Sequence, residues 1–143
     1  MITKQDILKR AAQWQLRPDV VEKDYVLGWL LVGIAQHPIT SKNWIFKGGT
    51  CIKKCYFETY RFSEDLDFSL LPDSPYTDAE IKNEINEVLA NVSQLSGITF
   101  SIDLTSVERK VNKQNQPTFK VKIAYSGPLA FPGNPRILFD VTN

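Results

Sequence analysis

The chain has 143 residues, a formal net charge of +1 and an apolar fraction of 43%. That length suits one domain, and the composition is that of a folded globular core. Near-neutral charge excludes nucleic-acid binding driven by bulk charge, though not a local basic patch.

Met1 to Asp6 runs directly into a polar amphipathic helix, with no signal-peptide pattern. Thr3 and Asp6 have capping-box spacing, the carboxylate shortened from Glu, and Ile7, Leu8, Ala11 and Trp14 follow at helical spacing. Pro18 suits the first turn of a second helix reaching about Gln36, with Val21, Tyr25, Leu27, Leu31 and Ile34 largely buried. Its longest apolar run, Tyr25 to Ala35, is too short to span a bilayer. Glu22, Lys23 and Asp24 read as an exposed, acid-favouring first turn. His37-Pro38 ends the helix, and His37 reads as a helix-end residue. Cys51 and Cys55, with the lone histidine, cannot make a zinc site. Reduced thiols in the cytoplasm are the plain reading.

The informative stretch runs from Trp44 to Phe68. Trp44-Ile45-Phe46 predicts a short buried strand. Gly48 and Gly49 then permit a turn and close approach of a ligand to the backbone. Thr50 begins or caps a helix over about 51–57, whose free N–H groups attract phosphate. Lys53, one turn in, can reach the same ligand. Leu66, Phe68 and Leu70 alternate with Asp65, Asp67 and Ser69, so the two aspartates share one face of a strand. All-oxygen ligands favour Mg2+ or Mn2+ over zinc or copper. Alone, Gly-Gly-Thr is usually a plain turn and Asp-x-Asp a solvated edge. In this order, separated by a basic helix, they are far more specific. The Walker spacing is absent, and no glycine follows Asp65 where an EF-hand needs one.

These residues carry a resemblance. Lys47-Gly48-Gly49-Thr50 with Arg61-x-Ser63-Glu64-Asp65-x-Asp67-Phe68 is similar to the core signature of the AbiEii/AbiGii toxin family, within the polymerase-β-like nucleotidyltransferase superfamily. Val21-Glu22-Lys23-Asp24-Tyr25 resembles a segment such proteins carry upstream, which gives Glu22 or Lys23 a second reading, facing the nucleotide cleft. The likeness covers roughly residues 20–143. Gly-Gly-Thr stands where the superfamily often has Gly-Ser, as is common in this branch.

Beyond the signature, Pro72 to Pro75 is a loop, and Thr77 and Glu80 form a capping box. Ile81, Ile85, Val88, Leu89, Val92 and Leu95 make a core-facing helix that Gly97 stops. Ile98, Phe100, Ile102 and Leu104 alternate as a strand, and Val107 to Pro117 reads as a hairpin loop. Phe119, Val121, Ile123 and Tyr125 form the next strand. Lys120 and Lys122 lie on its other face, towards solvent or, as a second reading, a phosphate. Gly127 to Pro135 is a turn. Ile137, Phe139 and Val141 alternate with Leu138, Asp140 and Thr142 in a last strand. A buried acid there needs a partner or a metal. The resemblance implies that Asp140 is the third metal-binding carboxylate, beside the Asp-x-Asp strand.

The expected fold is α/β: a mixed sheet of about five strands in a nucleotidyltransferase-like core (44–143), preceded by two N-terminal helices (1–43). Family members usually continue into a helical second half, so the chain reads as an N-terminal portion, weak in catalysis alone and prone to self-association. The resemblance further implies transfer of a nucleoside monophosphate from NTP to an RNA (tRNA included) or protein hydroxyl. Asp65, Asp67 and Asp140 would hold two Mg2+ ions, and Gly48, Gly49, Thr50, Lys53, Arg61 and Ser63 the triphosphate. The biological role implied is a toxin with a cognate antitoxin in phage defence. The alternatives are an Asp-x-Asp glycosyltransferase, which leaves the Gly-Gly-Thr turn unexplained, and a non-catalytic nucleotide- or antitoxin-binding module.

Overall fold

The computed structural model describes residues 2–55, 65–71 and 76–143, with residues 52–55 described by their backbone alone. Both N-terminal helices begin where their caps predict. In α1 (Lys4–Trp14) the Thr3 hydroxyl accepts from the Asp6 amide, and the Asp6 carboxylate accepts from the Thr3 amide. In α2 (Pro18–Gln36) proline takes the first turn. A short α3 (Thr40–Asn43) was not foreseen. His37 organises it: the amides of Ile39 and Thr40 donate to Nδ1, which leaves Nε2 to meet Glu87 at 2.6 Å. The helix-end reading of His37 therefore fits, with its ring serving as the cap of the next turn.

There follow β1 (Trp44–Lys47), α4 (Gly48–Cys55), β2 (Asp65–Leu70), α5 (Asp78–Ser96), β3 (Thr99–Val111), β4 (Pro117–Ser126) and β5 (Arg136–Thr142). The five strands form one mixed sheet in the order β1-β2-β5-β4-β3. β5 lies parallel to β2, and the other pairings are antiparallel. The expected α/β class and strand count are observed. β1 is an edge strand with Ile45 exposed, because only one of its sides has a hydrogen-bonding neighbour.

One face of this sheet makes the main core. Leu66 and Phe68 of β2, Ile137, Phe139 and Val141 of β5, and Phe119, Val121 and Ile123 of β4 are all buried against α2 and α5. Phe68 is its aromatic centre, with ring centroids 5.4 Å from both Trp44 and Phe46 and 6.0 Å from Phe139. Because side chains alternate along a strand, every second residue of these strands is driven to the opposite face.

Two readings along the chain are corrected. Residues 107–111 are strand rather than loop: β3 continues to Val111, and the hairpin loop shrinks to Asn112–Gln116. The register shifts between Ser101 and Ser106, where the Thr105 hydroxyl donates to the Ser101 carbonyl. This bulge changes which residues face the core: Phe100 pairs with Tyr125, but beyond it Val107 pairs with Val121. Ile102 and Leu104 fall in the bulge and are exposed. The second correction is in α2, where Glu22, Val26 and Leu30 are buried while Tyr25 and Leu31 are only half-buried. A helix apolar on most sides gives no clear stripe to read.

Glu22 is 1% exposed. Its carboxylate lies under the β4–β5 turn, against Gly127. Burial pushes its pKa up, and nearby Asp19 adds to this; the backbone amides of Leu129 and Gly127 oppose it. Those amides are near enough to act on the charge, yet neither carboxylate oxygen reaches full hydrogen-bond geometry. The close approach needs a glycine, since a Cβ on Gly127 would overlap the Glu22 carboxylate. Gly127→Ala is therefore expected to destabilise the fold by about 1–3 kcal/mol, as overpacking does. In a Glu22→Ala background the same change should cost clearly less, because the obstructed group is gone. Urea denaturation of the four proteins in that cycle checks the coupling, and additive losses would refute it.

Candidate active site

The outward face of the sheet carries the charged residues. β1 pairs Lys47 with Asp67, β2 pairs Asp67 with Asp140, β5 pairs Asp140 with Lys120, and β4 pairs Lys120 with Glu108. One row of side chains thus crosses all five strands: Lys47, Asp67, Asp140, Lys120, Glu108. Asp65, two residues before Asp67, shares its face and is the neighbour of Leu138. Asp67 and Asp140 are half-buried and Asp65 is exposed. Parallel partners on adjacent strands lie about 5 Å apart at the backbone, so two carboxylates are held side by side by main-chain hydrogen bonds.

That juxtaposition is visible electrostatically. Burial raises the pKa of Asp67, the negative charges of Asp140 and then Asp65 raise it further, and Lys47 pulls it back down. The three aspartates share a face, yet among the described residues no three His, Cys, Asp or Glu side chains form a ready-made cation cage.

The glycine turn adjoins this row. Gly48 has φ +86°, in the left-handed region, and a Cβ there would sit 2.5 Å from Asp67 Oδ2. Gly48 is therefore required both by its conformation and by the carboxylate beside it. α4 begins at Gly48, two residues earlier than expected. Thr50 is 1% exposed, and its hydroxyl donates to the main-chain carbonyl of Asp65 at 2.5 Å. Its side chain ties the helix start to the aspartate strand, leaving backbone N–H groups as what the turn offers a ligand. The Cys51 thiol contacts the Phe46 carbonyl, joining the same helix to β1. Arg61 and Ser63 lie outside the described residues, as do the Lys53 side chain and the Pro72–Pro75 loop.

Glu22 lies under the β4–β5 turn, at the Arg136 end of β5, whereas Asp140 lies towards the other end. The cleft-facing reading of Glu22 is thus not what the fold shows. Sequence reasoning gave no role to Lys47. Its place beside Asp67 depends on β1 and β2 pairing antiparallel across α4, which the motif spacing alone does not reveal.

A one-sided mixed sheet with paired aspartates beside a glycine turn defines a nucleotidyltransferase-like α/β protein. A model of the family described as the nucleotidyl transferase AbiEii toxin of type IV toxin–antitoxin systems matches residues 29–143. The chain belongs to that family. The match spans β1 to β5 and begins after the Val21–Tyr25 segment. Membership makes it a nucleotidyltransferase toxin by kinship and implies an antitoxin counterpart. No curated protein matches the chain. Among the described residues, no helix is long and apolar enough to cross a membrane.

Two substitutions test the local physics. Because its folded-state pKa is raised, Asp67 favours folding most below its ordinary value of 3.8. That contribution is lost as pH rises through the raised folded value. Asp67→Asn should thus melt on the order of 2 °C above wild type at pH 7 in chelator-containing buffer, with the gain vanishing below pH 3.8. A lower melting temperature at pH 7 would show that Asp67 is held by favourable contacts instead. Gly48→Ala, by contrast, should cost at least ~1–2 kcal/mol from left-handed strain alone. Chemical denaturation measures that loss.

Proposed function

We propose that this protein is a metal-dependent nucleotidyltransferase that moves a nucleoside monophosphate from NTP to an acceptor hydroxyl on RNA or protein. The observation that carries the reading is the pairing of Asp67 with Asp140 directly beside the Gly48 turn. The donor set fits Mg2+ or Mn2+, since Asp65, Asp67 and Asp140 offer only oxygen. Burial first, and then repulsion from Asp140 and Asp65, raises the pKa of Asp67, and a cation that gathers the carboxylates relieves that repulsion. Bound magnesium would supply electrophilic stabilisation of the phosphates and a more acidic acceptor hydroxyl.

The chain's own groups divide the remaining work. Backbone N–H groups at Gly48 and Gly49 cradle the phosphates at the start of α4. Arg61, Ser63 and Lys53 follow in sequence as further phosphate contacts. Asp140, one strand further from that turn, faces the acceptor and receives its hydroxyl proton. The acceptor oxygen forms a bond to the α-phosphorus, the α–β phosphoanhydride bond breaks, and pyrophosphate leaves carrying the electron pair. The natural setting is a cytoplasmic toxin, restrained by its antitoxin and used in phage defence.

Melting temperature with Mg2+ and a non-hydrolysable NTP tests this reading, because a ligand that binds only the folded state stabilises it. A ligand at 100 times its Kd should add about 2.7 kcal/mol. Asp67→Asn should lose most of that shift, and sugar nucleotides should not reproduce it. A full shift in Asp67→Asn, or an equal one with a sugar nucleotide, would overturn the assignment. Transfer itself is read as label moving from α-labelled NTP into RNA or protein.

A further inference from the structure

His37 is the single histidine of the chain, and its two ring nitrogens have opposite tasks. The residue is 9% exposed. The amides of Ile39 and Thr40 each donate to Nδ1 at 3.3 Å. A ring nitrogen that accepts carries no hydrogen, so the ring that caps α3 is neutral and its proton sits on Nε2. Nε2 meets Glu87 Oε2 at 2.6 Å. The cation is provided for as well. Glu84, one turn before Glu87 on α5, is 5% exposed, and its Oε2 has no hydrogen-bond partner. Burial pushes the Glu84 pKa up; a protonated His37 and then a hydrogen bond with Tyr76 oppose this, while Glu80 and Glu87 add to it. A buried acceptor without a donor is costly, and a second ring N–H is what it lacks. No other charge faces the ring from its own side: residues 31–36 of α2 carry none, and Lys42 of α3 is exposed.

We infer that His37 is a pH-operated latch: its neutral ring holds α3, and a second proton, on Nδ1, releases the amides of Ile39 and Thr40 and turns the ring to Glu84. An N–H cannot accept a hydrogen bond, so the cap and the cation exclude each other. Two amides favour the neutral state and two carboxylates the charged one, which makes a two-state element that protons can bias. The effect travels through α3, which is four residues long. Its last residue, Asn43, precedes Trp44, the first of β1. The Asn43 carbonyl also accepts from the amide of Leu71, just past β2, at 3.0 Å. The Thr40 hydroxyl donates to the Ile34 carbonyl at 2.7 Å, so α3 keeps one tie to α2 when the ring lets go. β1 has a strand neighbour on one side only, and its far end carries Lys47 and leads into the Gly48 turn. Release of α3 thus loosens the edge strand beside Asp67 and leaves the β2–β5 pair in place. The latch is a property of the fold and does not rest on the nucleotidyltransferase reading.

A single histidine makes the test direct. In isotope-labelled protein, the long-range imidazole NMR correlation reports the tautomer and charge of His37 alone, and the same samples give hydrogen-exchange protection along the backbone. The range is about pH 8 to 5, where histidines change charge. At the upper end the ring should carry its hydrogen on Nε2. As it gains the second proton, the Ile39 and Thr40 amides should lose protection about tenfold, the effect of one lost hydrogen bond. Protection in β1 should fall with the same midpoint, and that in β5 should not change. His37→Asn supplies a side-chain oxygen that caps without titrating, and should keep α3 protected throughout. Glu84→Gln removes the carboxylate that awaits the cation and should move the wild-type transition to lower pH, which covers the case in which His37→Asn folds poorly. A hydrogen on Nδ1 at the upper end overturns the inference, as do amides that ignore the titration of the ring. A transition that survives in His37→Asn also overturns it, by assigning the response to the carboxylates of α5. So does a midpoint unmoved in Glu84→Gln.

Discussion

The parallel pairing of β2 with β5 sets Asp67 beside Asp140, and the proposed chemistry depends on it. The two strands are separated in sequence by α5, β3 and β4, so the pairing is made by the fold and not by any local turn. What fixes its register is the other face. Phe68, Phe139 and Val141 are buried against the helices, and a slip of one residue would turn all of them to solvent. The hydrophobic core thus holds two like charges side by side, and burial followed by that repulsion raises the pKa of Asp67. Strain of this sort is tolerated where a ligand relieves it.

The glycine turn depends on the same strand from its other side. The Gly48 conformation and the space beside Asp67 exclude a side chain, while the Thr50 hydroxyl grips the Asp65 carbonyl. Helix start and aspartate strand therefore move as one piece. A buried hydroxyl bonded to a main-chain carbonyl has little freedom to adapt, so the backbone N–H groups at the turn keep a fixed place relative to the carboxylates. This preorganisation is what the proposed phosphoryl transfer would require, since positioning and electrostatics do most of the work in such chemistry.

Charge placement elsewhere follows from the one-sided packing of the sheet. Lys47, Lys120 and Lys122 are on the aspartate face because their strand neighbours Phe46, Phe119, Val121 and Ile123 pack inward. Glu22 is the exception, an acid driven inside. It lies where α2 passes under the β4–β5 turn, and Gly127 makes room for it. A carboxylate buried without closed hydrogen bonds costs stability, and the opposing amides of Leu129 and Gly127 offset only part of that cost.

Local pattern determined a large part of this protein. The capping pairs Thr3–Asp6 and Thr77–Glu80, the stop at Gly97 and the alternation through Leu66–Leu70 and Ile137–Val141 rest on short-range physics, and the elements lie where that physics puts them. The shared face of Asp65 and Asp67 was legible for the same reason: a two-residue period needs no partner. Tertiary structure decided what depends on register and burial. The bulge at Ser101–Ser106 moved Ile102 and Leu104 out of the core. The helix packing of α2 took Glu22 inside and left Tyr25 half-exposed. Strand order set Lys47, Asp67, Asp140 and Lys120 in one row. Residues far apart in sequence became neighbours through non-local pairing, and no periodicity along a single chain records which strands will meet.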